Sequence, residues 1–162
     1  RLWAPWRQAY VVSDPPEGCV FCAAFASPED REPLVVHREA QAFVLMNRYP
    51  YNGGHVLVIP ARHAARPADL QAGEWAALTD LLGRAVTIVI DVFHAQGANV
   101  GMNLGRTAGA GIADHLHFHI VPRWDGDTNF MPILGDVKVV SEHLVSTWET
   151  LREAFGRASE GA

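Results

Sequence analysis

Asp114-His115-Leu116-His117-Phe118-His119-Ile120-Val121 is the stretch on which the reading of this chain turns. Histidines alternate with apolar residues, a period of two that predicts a β-strand over Asp114–Val121. Side chains of a strand alternate faces, so His115, His117 and His119 share one side while Leu116, Phe118 and Ile120 pack on the other. Same-face neighbours lie roughly 6.5–7 Å apart, so adjacent imidazoles can address neighbouring atoms of one phosphate group. A neutral imidazole whose tautomer is fixed is a competent nucleophile toward phosphorus, and a neighbouring imidazole can donate to the nonbridging oxygens. Spacing alone also leaves open a metal-binding face and a plain polar sheet face.

The loop before this strand, Gly101-Met102-Asn103-Leu104-Gly105-Arg106-Thr107-Ala108-Gly109-Ala110-Gly111, carries four glycines. Glycines let backbone N–H groups approach an anion, and successive N–H groups in such turns form anion-binding nests. Leading directly into three same-face histidines, the loop reads as a phosphate cradle, with Gly109, Ala110 and Gly111 nearest the strand.

Outward from this core, Leu34–His37, Ala42–Asn47 and His55–Ile59 read as short strands, with Tyr51-Asn52-Gly53-Gly54 as the turn before the third. Trp75, Leu78, Leu81, Leu82, Ala85, Ile88, Val89 and Val92 recur at steps of three and four, predicting an amphipathic helix from about Gln71 to Gln96 with Gly97 as its C-cap. A further strand is expected at Ala98–Leu104. A last helix from about Ser141 to Arg157 presents Leu144, Trp148, Leu151 and Phe155 on one stripe. Hairpins, a helix, more strands and a final helix make an α+β domain with a largely antiparallel sheet. Residues 1–33 look mostly irregular, and Trp3, Trp6 and Tyr10 are too apolar to lie free in water, so this arm is expected to pack on a single domain spanning 34–162.

At 162 residues, with 49% hydrophobic and 19% charged, the chain is long enough and apolar enough for one folded domain. A net charge of −5 argues against a nucleic-acid binder that works by neutralising phosphates, though a local cluster of donors can still hold a small anion. The longest apolar stretch, Val86–Phe93, is too short to span a bilayer, and no charged-then-apolar leader is visible, so a cytoplasmic protein without membrane contact is expected.

On His115-Leu116-His117-Phe118-His119-Ile120-Val121-Pro122-Arg123, the Gly-rich loop, Phe43-Val44-Leu45-Met46-Asn47 and Gly54-His55-Val56-Leu57-Val58-Ile59-Pro60, the chain resembles the histidine-triad (HIT) family. Arg1-Leu2-Trp3 and Pro122-Arg123-Trp124-Asp125-Gly126-Asp127-Thr128-Asn129-Phe130 resemble the bacterial branch of diadenosine tetraphosphate phosphorylases and related dinucleoside polyphosphate enzymes. The resemblance implies a five-stranded antiparallel sheet with two helices, assembled as a homodimer. It implies that His117 is the nucleophile and that His119 and Asn103 contact the α-phosphate. Asn47 stands at the family's ribose-binding position, and Phe43, Leu45 and Leu57 are candidates for an adenine pocket. Trp124 is a candidate for stacking on a second base, or simply docks its loop. Where many relatives place a polar side chain just before the triad, this chain has Ala110-Gly111-Ile112-Ala113, so the leaving group lacks an assigned acid. That departure suits attack by phosphate more than by water.

Cys19-Val20-Phe21-Cys22 has the spacing of half a tetrahedral zinc site, and taken alone it also leaves open a redox pair or two incidental thiols. Zinc-carrying relatives, the galactose-1-phosphate uridylyltransferases among them, are similar to this chain in pairing such a motif with a His at the place of His63 and with the first triad His. The resemblance therefore implies a structural zinc on Cys19, Cys22, His63 and His115, with no organic cofactor. His37, His55, His94 and His143 receive no role. The leading expectation is cleavage of a dinucleoside polyphosphate through a nucleotidyl-His117 intermediate, phosphorolysis before hydrolysis. A nucleoside phosphoramidate hydrolase, a catalytic metal on all three triad histidines and a non-catalytic nucleotide-binding module are the alternatives.

Overall fold

A computed structural model describes residues 18–127 and 144–160. The expectations placed on Trp3, Trp6, Tyr10, Asn129, Phe130, Ser141 and His143 lie outside the described residues.

Five strands form one antiparallel sheet: β1 (Val35–Arg38), β2 (Ala42–Met46), β3 (Val56–Pro60), β4 (Gly97–Met102) and β5 (Phe118–Arg123), in the order β1-β2-β3-β5-β4. Among the described residues the helices are α1 (Val20–Ala26), α2 (Ala72–Phe93) and α3 (Leu144–Glu160). The α+β class is as expected, and α1 is an addition to the two helices expected.

Strands β2 and β3 are buried along their whole length because both faces of the sheet are covered. Val44, Met46, Val56, Val58, Leu116, Phe118 and Ile120 meet Leu78, Leu81, Ala85 and Val89 of α2 and Trp148, Leu151 and Phe155 of α3. The alternate residues Phe43, Leu45, Leu57 and Ile59 meet Phe21 and Ala24 of α1. Trp148 also donates its indole N–H to the Val35 carbonyl at 2.8 Å, fastening α3 to the edge strand. The period-two pattern thus sorts one side chain to the two-helix face and the next to the α1 face.

Several boundaries shift by one to four residues, and two of the shifts have a clear local reason. The histidine strand begins at Phe118 rather than Asp114, because the Leu116 N–H donates to the Ala64 carbonyl (2.7 Å) in the segment after β3 and not to a strand neighbour. Its alternation nevertheless holds, with Leu116, Phe118 and Ile120 in the helix-side core. Helix α2 ends at Phe93, where His94 adopts the left-handed conformation (φ 48°, ψ 41°) that was expected of Gly97; Gly97 instead opens β4.

Candidate active site and metal centre

His117 is buried where the chain enters β5. Its Nδ1–H donates to the carbonyl of His115 at 2.8 Å. That bond fixes the tautomer, leaving Nε2 as the ring's unprotonated nitrogen. Burial pushes His117 below the ordinary imidazole range, partly opposed by the same backbone bond. A neutral ring with an oriented lone pair is what nucleophilic attack requires.

His119 lies next to it, ring centroids 4.9 Å apart. Its protonation is set by a residue that the sequence reading passed over. The Tyr51 backbone N–H donates to Nδ1 of the fully buried His55 at 3.0 Å. In neutral His55 the proton therefore sits on Nε2, which donates to His119 Nδ1 at 3.0 Å. His119 is left with its proton on Nε2, as a donor. Tyr51 stacks on His55 (5.0 Å, 18°) and closes this chain of rings. A backbone N–H thus dictates the polarity of two imidazoles.

His117 and His119 both border a cavity of about 530 Å³, large enough for a nucleotide. Its apolar wall comes from Val20, Phe21, Ala23 and Ala24 of α1 facing Leu45, Leu57 and Ile112. Asn47, Gly109 and Gly111 also line it. Asn47 is held in a tight turn, its side-chain oxygen accepting the Tyr49 N–H at 2.9 Å and its amide reaching His55 Nδ1 at 3.3 Å.

Other expected residues lie elsewhere. Phe43 is fully buried against Phe25 (5.2 Å) and supports the wall without lining it. Ala110 is buried between the two lining glycines. Asn103 is not in the cavity wall; it directly follows β4, whose last pair is Met102↔Phe118. Trp124 is not in the cavity wall: its indole donates to the Phe93 carbonyl at 3.2 Å and docks its loop on the end of α2.

The first triad histidine points into a different site. One ligand atom from each of Cys19, Cys22, His63 and His115 falls within 4.8 Å of every other, a group that could hold a metal ion. Cys19 Sγ lies 3.2 Å and Cys22 Sγ 3.6 Å from His115 Nδ1, and Cys22 Sγ lies 3.4 Å from His63 Nδ1. The sulfur-to-nitrogen edge of a tetrahedron with zinc-type bond lengths is about 3.6 Å, so the donor set fits. His115 Nε2–H donates to the Pro60 carbonyl (2.9 Å), which leaves Nδ1 free to ligate, as an outer hydrogen bond does in metal sites. Among the described residues the group that could hold a metal includes His115 but neither His117 nor His119, so the triad is not gathered on one metal.

Sequence reasoning missed α1 and His55. A turn Gly54-His55 leading into an apolar strand held a signal for His55, since the residue before Val56 falls on the face of Leu57 and His119.

Comparison with known proteins agrees with this geometry. The model of the HIT domain matches residues 29–126. The AP-4-A phosphorylase of Mycobacterium tuberculosis is 38% identical over 165 residues, covering 97% of this chain and 85% of that protein. The bis(5'-nucleosyl)-tetraphosphatase (asymmetrical) of Schizosaccharomyces pombe is 34% identical over 57% of this chain and 50% of its own length. Among solved structures, a Zn-bound histidine triad family protein from Mycobacterium smegmatis superposes with a TM-score of 0.71 at 24% identity, covering 90% of this chain and 98% of the other.

Proposed function

The chain belongs to the histidine-triad (HIT) family, and from that premise we propose that it is a nucleotidyltransferase cleaving dinucleoside polyphosphates of the diadenosine tetraphosphate class, with inorganic phosphate as the favoured acceptor. The observation that carries this reading is the His117 Nδ1–H bond to the His115 carbonyl, which presents a nucleophilic Nε2 beside a neighbouring imidazole donor. Nε2 of His117 attacks the α-phosphorus of one nucleotide. A P–N bond forms as the P–O bond to the departing nucleoside triphosphate breaks. The His115 carbonyl stabilises the positive charge that develops on the ring. Nε2–H of His119 donates to a nonbridging oxygen, with Asn103 and the loop at Gly109–Gly111 as the further contacts to the phosphate. The base packs between α1 and Leu45 and Leu57, and the ribose meets Asn47.

The acceptor preference rests on Ala110-Gly111-Ile112-Ala113, which offers neither acid nor hydroxyl beside the cavity. A nucleoside triphosphate departs as an anion without being protonated. Water attacking the nucleotidyl-histidine would need a base, whereas inorganic phosphate at neutral pH already carries the anionic oxygen that attacks. The products of phosphorolysis are then ADP and ATP. The similarity to the mycobacterial phosphorylase supports the same choice.

Zinc is the metal that two thiols and two imidazoles select. Bound to four protein ligands it supplies structural fixation and has no open position for substrate. Paired thiols reserved for a metal suit a reducing cytoplasmic setting; no helix among the described residues is long and apolar enough to cross a membrane. Among the described residues the edge strand β4 pairs only with β5 and exposes Val100 (45%) and, just beyond the strand, Leu104 (48%), which supports a homodimer formed along this edge.

Incubating the protein with diadenosine tetraphosphate, with and without inorganic phosphate, and separating the products tests the proposal. Phosphate-dependent ADP plus ATP is the expected result. AMP plus ATP at the same rate without phosphate would replace phosphorolysis by hydrolysis, and no product in either tube would overturn the activity.

A further inference from the structure

Helix α1 serves two sites at once. Its N-cap residue Cys19 and, one turn on, Cys22 are half of the metal cluster, while Val20, Ala23 and Ala24 line the cavity. At seven residues it is far below the roughly 12–15 at which an isolated helix is stable, so tertiary contacts must hold it in place. Those contacts differ at its two ends. At the C-terminal end, Arg38 donates to the carbonyls of Ala24 (2.7 Å), Phe25 (3.2 Å) and Ser27 (3.2 Å). At the N-terminal end the cap residue makes no side-chain capping bond, and its thiol lies against His115 instead. Between the ends sits Phe21, buried, edge-on to His115 (5.5 Å) and to the nucleophile His117 (5.0 Å).

We propose that metal occupancy and nucleotide binding are thermodynamically coupled through α1, with Phe21 as the positioning residue between the metal cluster and His117. The inference rests on reading the cavity as a nucleotide site. With the four ligands tied together, the N-terminal half of α1 is fixed and the cavity wall is complete. With them untied, Arg38 still anchors the far end, so the helix loosens from its cap without the sheet coming apart. A nucleotide that needs the wall in place binds the metal-loaded form more tightly, and by reciprocity it tightens the metal by the same factor.

The test is an equilibrium competition for zinc between the loaded protein and a chromophoric chelator at increasing AMP, with protein-free controls for zinc binding by AMP itself. Calorimetry on the loaded protein measures AMP binding separately. We expect zinc affinity to rise about tenfold and then level off once AMP saturates, and the gain to fall below about threefold in Phe21→Leu, or in Phe21→Met should the first variant be unstable. AMP binding to the loaded protein with zinc affinity moved less than about twofold overturns the coupling and leaves the nucleotide reading intact. Protection that climbs in proportion to AMP without levelling off means the metal-free form binds no AMP, which overturns a loosening confined to α1, because metal loss would then dismantle the whole site. Absence of AMP binding to the loaded protein overturns the nucleotide reading and the coupling together.

Discussion

Replacing His55 tests whether a residue outside the triad sets the chemistry inside it. In His55→Leu the volume of the fully buried ring is largely kept, but its two hydrogen-bonding functions are lost. His119 Nδ1 loses its donor at 3.0 Å, and with it the constraint that keeps the proton on Nε2 and the ring in place. Removing a transition-state donor outright typically costs about 2.7–4 kcal/mol. His119 remains in the variant and only its orientation and tautomer are freed, so we expect roughly half of that, about 1.4–2 kcal/mol, or a 10- to 30-fold fall in kcat. Asn47, the proposed ribose contact, loses its amide's reach to His55 but keeps its turn through the Tyr49 N–H, so KM should rise by no more than about threefold. Stability should drop by about 1–3 kcal/mol from the buried polar groups left without their partner. A glutamine can accept through its oxygen and donate through its nitrogen, so His55→Gln should recover much of kcat where His55→Leu does not. Steady-state kinetics with diadenosine tetraphosphate and phosphate, beside urea unfolding, reads all three quantities. Unchanged kcat in His55→Leu, or a loss confined to KM, would refute the relay from Tyr51 through His55 to His119.

His117→Ala should lower turnover by about four orders of magnitude or more while zinc content by metal analysis stays at the wild-type level, since this ring ligates nothing. Glu74 caps α2 through the Gln71 N–H and pairs with Arg62, which lowers its carboxyl from 4.5 to about 2. A lowered folded-state pKa contributes stability above the unfolded value that is lost as pH falls through the folded one. The Tm gap between wild type and Glu74→Gln should therefore be full above about pH 4.5 and shrink steadily toward pH 2; a gap independent of pH would remove the carboxylate as its cause. Gly54 has φ +73°, and an added Cβ would meet Phe93 Cε2 at 2.5 Å, so Gly54→Ala should cost at least about 1–2 kcal/mol in urea unfolding.

Much of this was legible in the sequence because periodicity reports burial directly. The alternation at His115–Ile120 separated the helix-side core from the site face correctly even though regular pairing begins only at Phe118. The spacing of Trp75, Leu78, Leu81, Ala85 and Val89 located α2 for the same reason. Helix α1 was illegible because Val20–Ala26 is too short to show a helical period and has neither a capping side chain nor an acidic first turn; its placement is tertiary. The face of His55 was legible from the alternation with Leu57, but its role was not, because that comes from meeting His119 across β3 and β5. Trp124 was ambiguous for a different reason. An indole after a strand serves equally for stacking and for docking, and only the Phe93 carbonyl resolved it.

A covalent bond to His117 is the centre of the proposed chemistry. The direct measurement is a rapid alkaline quench of a single turnover with diadenosine tetraphosphate labelled at its α-phosphates, followed by peptide mapping of the protein-bound label. The account predicts a transient adduct of one AMP moiety, alkali-stable and acid-labile as a phosphorus–nitrogen bond is, carried by the peptide containing His117, absent from His117→Ala and discharged as ADP when phosphate is added. Product formed within the turnover with no labelled protein at any quench time, or label carried by a residue other than His117, would contradict it.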